Sequence, residues 1–302
     1  MRILIIIVTF NGMRWLPLCL KTAVDQSVSA DILVVDNQST DGTQAYIKEA
    51  FPGIHLIESK FNLGFGKANN LGLTYGLKAG YEYFFLLNQD AYLEPDTIEC
   101  LIKVQQSNPD FGVLSPMQYN GSGTALDQKF KVLFESTKNC RLHSPALLPP
   151  GKSIKIYTAK FVMAAFWLMS RACVERVGHF DEIFNHYGED NDYLNRVWFH
   201  RFKVGIVENC KGFHDRDSRV VSIEKQLNVS FASYLAALTD PNLKISTAYW
   251  KTFRVIERRL RKAVLRRDFC QSRLIFKNLT ALYSRTPSII KTRKRNKVVN
   301  TY

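Results

Sequence analysis

The chain opens with an apolar run, ILIIIVTF at positions 3–10, interrupted only by Thr9 and stopped by Asn11 and Gly12. An apolar run of this length predicts a strand buried on both faces of a parallel sheet. No small-residue cleavage site follows it, so it reads as a strand and not as a targeting segment. Helical spacing follows over about 13–26. DILVVDN (31–37) predicts a second strand ending in a carboxylate, STDGT (39–43) a loop and helix cap, and IHLIES (54–59) a third strand. NLGFGKANNLGLTYGLKAG (62–80) runs from a loop into a helix with small residues on one side. YEYFFLLNQD (81–90) predicts a fourth strand, again ending in a carboxylate, and EPDTIECLIKVQQ (94–106) a helix with Pro95 near its first turn. FGVLSP (111–116) is a further strand. Repeated βα units predict an α/β fold, an open and mostly parallel sheet flanked by helices. Ligands of such sheets lie beyond the carboxyl ends of the strands, where Asp36 and Asp90 fall.

The rhythm lapses over 120–157, which reads as a long insertion with a mobile, proline-rich end. It returns with an apolar strand and short helix within 157–184, and with a late strand, KVGIVEN (203–209), followed by GFHDRDS (212–218). From about 224 onward the pattern is helical and poor in glycine. No internal repeat is present, and no stretch reaches the ~18 unbroken apolar residues that a membrane span needs.

Charge divides the chain in two. From Lys251 onward there are 16 Lys and Arg against two acids, Glu257 and Asp268; that excess equals the +14 of the whole chain, so the first 250 residues are neutral. The expected organisation is a neutral α/β domain over 1–222 and a basic helical region over 223–302, whose partner must be anionic. Phe253, Ile256, Leu260 and Val264 stand at helical spacing among the bases. They suit an amphipathic helix resting on an anionic membrane, a helix that forms an oligomer, or a helical hairpin folded back on the body. Nucleic acid is disfavoured, because the body is neutral and carries no nucleic-acid motif. The final stretch, 291–302, is expected to be disordered. The six cysteines are scattered without a CxxC pair, which predicts buried thiols, neither a zinc site nor a disulfide framework, and a reducing cytosol.

Two stretches carry candidate chemistry. GFGKAN (64–69) lacks the third glycine of a dinucleotide fingerprint and does not match a P-loop, which argues against a nicotinamide-dependent oxidoreductase. Its glycines suit a backbone that comes close to a ligand. FNHYGEDNDYLNR (184–196) packs Glu189, Asp190 and Asp192 among aromatic residues and amides. These acids suit either the exposed start of a helix or a catalytic carboxylate whose pKa apolar neighbours raise. On a helix, 189 and 192 share a face while 190 points elsewhere.

Five segments, IIIVTFNG (5–12), VVDNQSTDGT (34–43), NLGFGKANNLG (62–72), LLNQDA (86–91) and VGHFDEIFNHYGEDNDYLNR (177–196), occur in an order that resembles the family 2 glycosyltransferases, with the Rossmann-like GT-A fold. The similarity covers roughly 1–220 and is nearest to the rhamnosyltransferase-like branch that builds bacterial surface polysaccharides. The resemblance implies transfer of a sugar from a nucleotide-sugar donor, dTDP-rhamnose or a UDP-hexose, to a glycan or lipid-linked glycan, by an inverting single displacement at the inner face of the cell membrane. It implies Asp190 as general base, with Glu189 as the alternative and Asp192 a third candidate or a substrate contact. It further implies that Asp36 reads the base, with Thr9 and Asn11 alongside, that Lys67, Asn69 and Asn70 line the nucleotide and diphosphate, and that Asn88 contacts the substrate. The usual Asp-x-Asp metal motif is here Asn88-Gln89-Asp90, with an amide for the first carboxylate. Asp90 and His214 are left to hold Mn²⁺ or Mg²⁺. The weakened motif also admits a catalytically silent sugar-nucleotide-binding protein.

Overall fold

The computed structural model describes residues 1–136, 138–147, 153–185, 187–216 and 223–299. In chain order the strands are β1 (Ile3–Thr9), β2 (Asp31–Asp36), β3 (His55–Glu58), β4 (Tyr83–Asn88), β5 (Ala91–Leu93), β6 (Phe111–Asn120), β7 (Cys140–Leu147), β8 (Ser153–Ala159), β9 (Phe166–Ser170) and β10 (Lys203–His214). They form one sheet in the order β3-β2-β1-β4-β9-β6-β10-β8-β7, with β5 also paired to β10. β3, β2, β1 and β4 run parallel, as do β6 and β10; β9 runs antiparallel between the two groups.

The alternation of side chains along β1 explains the layers. Ile3, Ile5 and Ile7 point to one face, where they pack with α1 (Leu16–Val24) and α4 (Thr97–Ser107). Leu4 and Ile6 point to the other, under α3 (Gly64–Lys78), α6 (Arg171–Val177) and α7 (Glu189–Phe199). With both faces covered, the strand is apolar from Ile3 to Val8. The small residues of α3 serve this packing. A Cβ on Gly72 would meet Ile6 at 2.6 Å, and one on Gly76 would meet Phe84 at 2.5 Å, so the helix lies directly on β1 and β4.

The stretch read as an irregular insertion contains α5 (Gln128–Phe134), capped by Asp127, and the antiparallel pair β7 and β8 at the edge of the sheet. Its proline-rich end, 148–152, lies outside the described residues. The cysteine reading needs correction. Cys19, Cys140 and Cys173 are buried thiols and Cys270 is an exposed one, but Cys100 of α4 and Cys210 of β10 form a disulfide. They lie 110 residues apart in sequence, and only the packing of α4 against the sheet brings their Cα atoms to 6.1 Å.

After residues 217–222, which lie outside the described residues, α8 (Ile223–Thr239), α9 (Ile245–Leu265), α10 (Phe269–Ser284) and α11 (Thr286–Arg295) enclose their own apolar cluster, to which Phe184 of the acidic segment contributes. The buried stripe of α9 is Ala248, Thr252, Ile256 and Ala263, with Leu260 partly buried, while Phe253 and Val264 are exposed. The expected disorder is also overturned over 291–299, while 300–302 lie outside the described residues. Arg293 is buried and donates to the carbonyls of Leu238, Asp240 and Leu243, closing the end of α8. Asn296 donates to Asp192 Oδ1 at 3.3 Å, and its carbonyl lies 3.1 Å from His200 Nε2.

These contacts converge on a buried ion pair. Arg196 Nε lies 2.8 Å from Asp192 Oδ2, with the side chains 3% and 0% exposed. Arg196 Nη1 donates to Val177 O, and Thr239 donates to Asp192 Oδ1, each at 2.8 Å. Removing one partner leaves the other charge buried and unpaired, a loss of about 3–5 kcal/mol. Asp192→Ala is therefore expected to lower unfolding stability by about that amount in denaturant titrations; a loss under about 1 kcal/mol, the range of an exposed pair, would refute this role.

Candidate functional site

The site forms where β5 turns back against β10. Ala91 stands opposite His214 in the register, and Asp215 N donates to Asp90 O at 2.8 Å. This pairing sets His214 Nε2 3.2 Å from the Oδ1 of Asp90, 124 residues away in sequence. Arg216 Nε donates to His214 Nδ1 at 3.0 Å, which leaves Nε2 to carry a ring proton towards Asp90. Arg216 also lies 3.4 Å from Asp127 Oδ2. Burial pushes the Asp90 carboxyl up, but the hydrogen bond from His214 and the positive charge nearby outweigh it and hold Asp90 below the usual carboxylate range.

Across a cleft of about 600 Å³ from this trio stands the first turn of α7. Gly188 precedes it with φ +86°, and a Cβ there would meet Ala232 O at 2.9 Å, so both conformation and space demand glycine. Glu189 is buried, and burial together with the neighbouring Asp190 charge pushes its carboxyl up to about 7. Asp190 is raised to about 6 by burial, opposed by hydrogen bonds from Asn191 N at 2.8 Å and Asn191 Nδ2 at 3.3 Å. A helix N-terminus favours an ionised acid by ~0.3–1 kcal/mol, less than one pKa unit. Burial therefore wins here, and these acids are not the exposed start of a helix. A carboxyl poised near neutral pH, beside an open cleft, is suited to accept a proton.

Asn88, Asp90, Glu189, Asp190 and His214 thus border one cleft. Thr9, Asn11 and Asp36 gather in a neighbouring cluster at the ends of β1 and β2. Thr9 is buried and donates to Gln89 Oε1 at 2.7 Å, while Asn11 accepts from Thr40 N at 2.9 Å. Asp36 Oδ2 accepts from Ser39 N at 2.9 Å and Gln44 Nε2 at 2.6 Å, and its buried Oδ1 has no partner. An orphaned buried carboxylate oxygen is costly and calls for an N–H donor. Lys67 and Asn70 border a second cleft of about 620 Å³ with Asp181 and Arg295. Asn70 is engaged by the backbone of Phe180 at 2.8 and 2.9 Å, and Asn69 is turned back onto Phe65 O in its own helix. Asp192 faces the buried Arg196 and not the cleft. Gly66 admits Phe180 and Glu189, so its approach is to the chain itself.

Two residues escaped the sequence reading. Arg216 adds a positive charge to the cleft, and its signal was its place two residues after His214. Gln89, the middle of the Asn-Gln-Asp segment, accepts from Thr9 Oγ1 and Phe10 N and donates to Phe10 O, tying β4 to β1. Among the described residues no group of three or more His, Cys, Asp or Glu side chains converges as metal ligands. Asp90 and His214 form a two-donor set, and a carboxylate with an imidazole suits Mn²⁺ when phosphate oxygens and water complete the shell.

Carboxyl-carbon NMR titration should show two groups near 6 and 7, and Asp190→Asn should lower the Glu189 midpoint, because it removes the neighbouring negative charge. Two midpoints near 4, or an unchanged Glu189 in the variant, would contradict this electrostatic picture.

The sequence model described as "Glycosyl transferase family 2" matches residues 4–178 and stops short of the acids at 189–192. The low-salt glycan biosynthesis hexosyltransferase Agl10 of Haloferax volcanii is 24% identical over 190 residues, 62% of this chain and 59% of that protein. The N-acetylglucosaminyl-diphospho-decaprenol L-rhamnosyltransferase of Mycobacterium tuberculosis is 26% identical over 200 residues, 59% of this chain and 63% of that protein. The chain thus spans about six-tenths of the length of these relatives. Among solved structures, the mannosyltransferase of Pyrobaculum calidifontis in complex with GDP-Man and Mn²⁺ has a TM-score of 0.56 at 16% identity, over 98% of this chain and 86% of that one. S. aureus TarS in complex with UDP-GlcNAc has a TM-score of 0.57 at 17% identity, over 82% of this chain and 69% of that one. Both show the same fold.

Proposed function

The chain belongs to glycosyl transferase family 2 and has the GT-A fold, and on that basis we propose that it moves a sugar from a nucleotide-sugar donor to a glycan acceptor in surface polysaccharide biosynthesis, with inversion at the anomeric carbon. The observation that carries this reading is the division of the cleft: carboxyls raised to about 6 and 7 on one side, and Asp90, His214 and Arg216 on the other.

The acceptor oxygen attacks the anomeric carbon, and the bond from that carbon to the donor diphosphate breaks. The electron pair leaves with the diphosphate, and the acceptor proton passes to the ionised Asp190 carboxylate. Arg216 stabilises the negative charge that develops on the departing group. Asp90 and His214 would hold a divalent cation, which supplies further neutralisation of the diphosphate when bound. The unpartnered Asp36 Oδ1 supports a base with an N–H to donate, as in uracil or thymine, and so a dTDP-sugar or a UDP-sugar. Glu189 remains the alternative base, since its raised pKa meets the same requirement.

We read the chain as a catalytic portion over 1–222 and a basic helical region over 223–302, a division supported by the separate apolar cluster of α8–α11. Among the described residues no helix is long and apolar enough to cross a membrane. The named substrate of the M. tuberculosis relative is a decaprenol-linked sugar, which supports a lipid-linked acceptor here and work at the inner face of the membrane.

The test is nucleotide release from dTDP-rhamnose, UDP-galactose, UDP-glucose, UDP-N-acetylglucosamine and GDP-mannose, each with Mn²⁺, Mg²⁺ or EDTA. One donor is expected to be hydrolysed slowly and only with metal. Asp190→Asn should lower that rate by ~10²–10⁴-fold while donor affinity, measured by calorimetry, is kept. Donor binding without turnover, with or without a lipid-linked acceptor, would favour a silent binding protein and overturn the assignment.

A further inference from the structure

The basic helical region presents an apolar face that no other segment covers among the described residues. On α10, Ile275 and Leu282 are buried against the other helices. The same helix also exposes Phe269, Phe276 and Tyr283, which are 78%, 59% and 82% accessible. Their spacing of seven residues places them on one stripe, on a different side of the helix from Ile275 and Leu282. Arg273 stands within the stripe and is exposed. The turn from α9 extends it, because Leu265, immediately before that turn, is 85% accessible and Val264 is also exposed. Arg258, Arg261, Lys262, Arg266 and Arg267 crowd the same end of the hairpin and are exposed. Asp268 is the one acid beyond Glu257, and its side chain is engaged as the cap of α10 by Gln271 N at 2.8 Å.

We propose that the α9–α10 hairpin docks the protein on an anionic bilayer, with Leu265, Phe269, Phe276 and Tyr283 entering the headgroup boundary and the surrounding Arg and Lys held by lipid phosphates. Charge decides between a bilayer and a second copy of the chain. A self-complementary contact would press an almost purely cationic surface against itself, whereas anionic headgroups neutralise it. The composition, apolar and aromatic residues set among Arg and Lys, is that of a helix lying in the interface and not across the membrane. The hairpin also adjoins the catalytic portion. Lys277 and Ala281 of α10, and Arg285 immediately after it, border a groove of about 360 Å³ together with Phe184 and Tyr187, and Tyr187 borders the acid-lined cleft as well. A bilayer under α10 is therefore a near neighbour of the cleft.

The exposed thiol Cys270 lies beside Phe269 and allows a direct test on the full chain, labelled there with an environment-sensitive fluorophore. Vesicles of phosphatidylcholine with about one-third phosphatidylglycerol are expected to pellet the protein and shift the label to the blue, with binding that weakens steeply as salt rises. Phe269→Ser, Phe276→Ser and Tyr283→Ser combined should weaken that binding by at least about tenfold at unchanged charge. Donor hydrolysis by the same preparation checks that the variant is folded, and it fails or succeeds independently of docking. Equal binding to pure phosphatidylcholine, or a triple variant that binds like the parent, would overturn the proposal. So would a stable dimer of the parent chain that the triple variant dissolves, since the stripe would then be an interface between copies.

Discussion

The arrangement of the cleft rests on the buried ion pair between Asp192 and Arg196. One helix turn separates the two residues, and neither reaches solvent. The pair is the meeting point of four segments: α7 itself, the end of α6 through Val177 O, the end of α8 through Thr239, and the chain after α11 through Asn296. A buried charge pair is weak as a source of stability, because desolvation offsets most of the attraction. Its effect is on geometry. Any shift of α7 along its axis would strand two charges in an apolar interior, so the first turn of that helix, which carries Glu189 and Asp190, is held in one position.

The opposite wall of the cleft depends on a different constraint. β5 is only three residues long, and its antiparallel register with β10 fixes Asp90 beside His214. Arg216 then orients the imidazole through Nδ1. The two walls differ in kind. One is a helix start where burial outweighs the helix dipole and raises two acids towards neutrality. The other is a strand pair where hydrogen bonding and positive charge keep a third acid ionised. Environments that push neighbouring carboxyls apart in pKa give similar groups distinct chemical roles.

Much of this was legible in the sequence. The apolar run from Ile3 to Val8 in β1 and the repeated βα spacing gave the sheet and its helices, because a strand covered on both faces leaves no polar alternation. Asn88, Asp90, Glu189, Asp190 and His214 were singled out and do border one cleft. Other features were hidden for physical reasons. The disulfide of Cys100 and Cys210 joins residues from α4 and β10, whose contact is tertiary and leaves no spacing signal. Asp192 was kept as a third candidate or a substrate contact, because the basic partner one turn on could not be known to be buried. The basic run after 291 reads as disordered by composition, yet Arg293 and Asn296 are drawn in by unpaired carbonyls and by Asp192. The glycines of 64–69 suggested a ligand, whereas Gly66 admits Phe180, and Gly72 and Gly76, on the small side of the helix, admit Ile6 and Phe84.

The central claim is that a nucleoside diphosphate lies between the two walls, with its base at Asp36. The most direct measurement is a crystal structure with uridine or thymidine diphosphate and Mn²⁺. The account predicts the diphosphate against Asp90, His214 and Arg216, and a base N–H donated to Asp36 Oδ1. A nucleotide bound instead in the cleft of Lys67 and Asn70, or with Asp36 Oδ1 left unpaired, would contradict it.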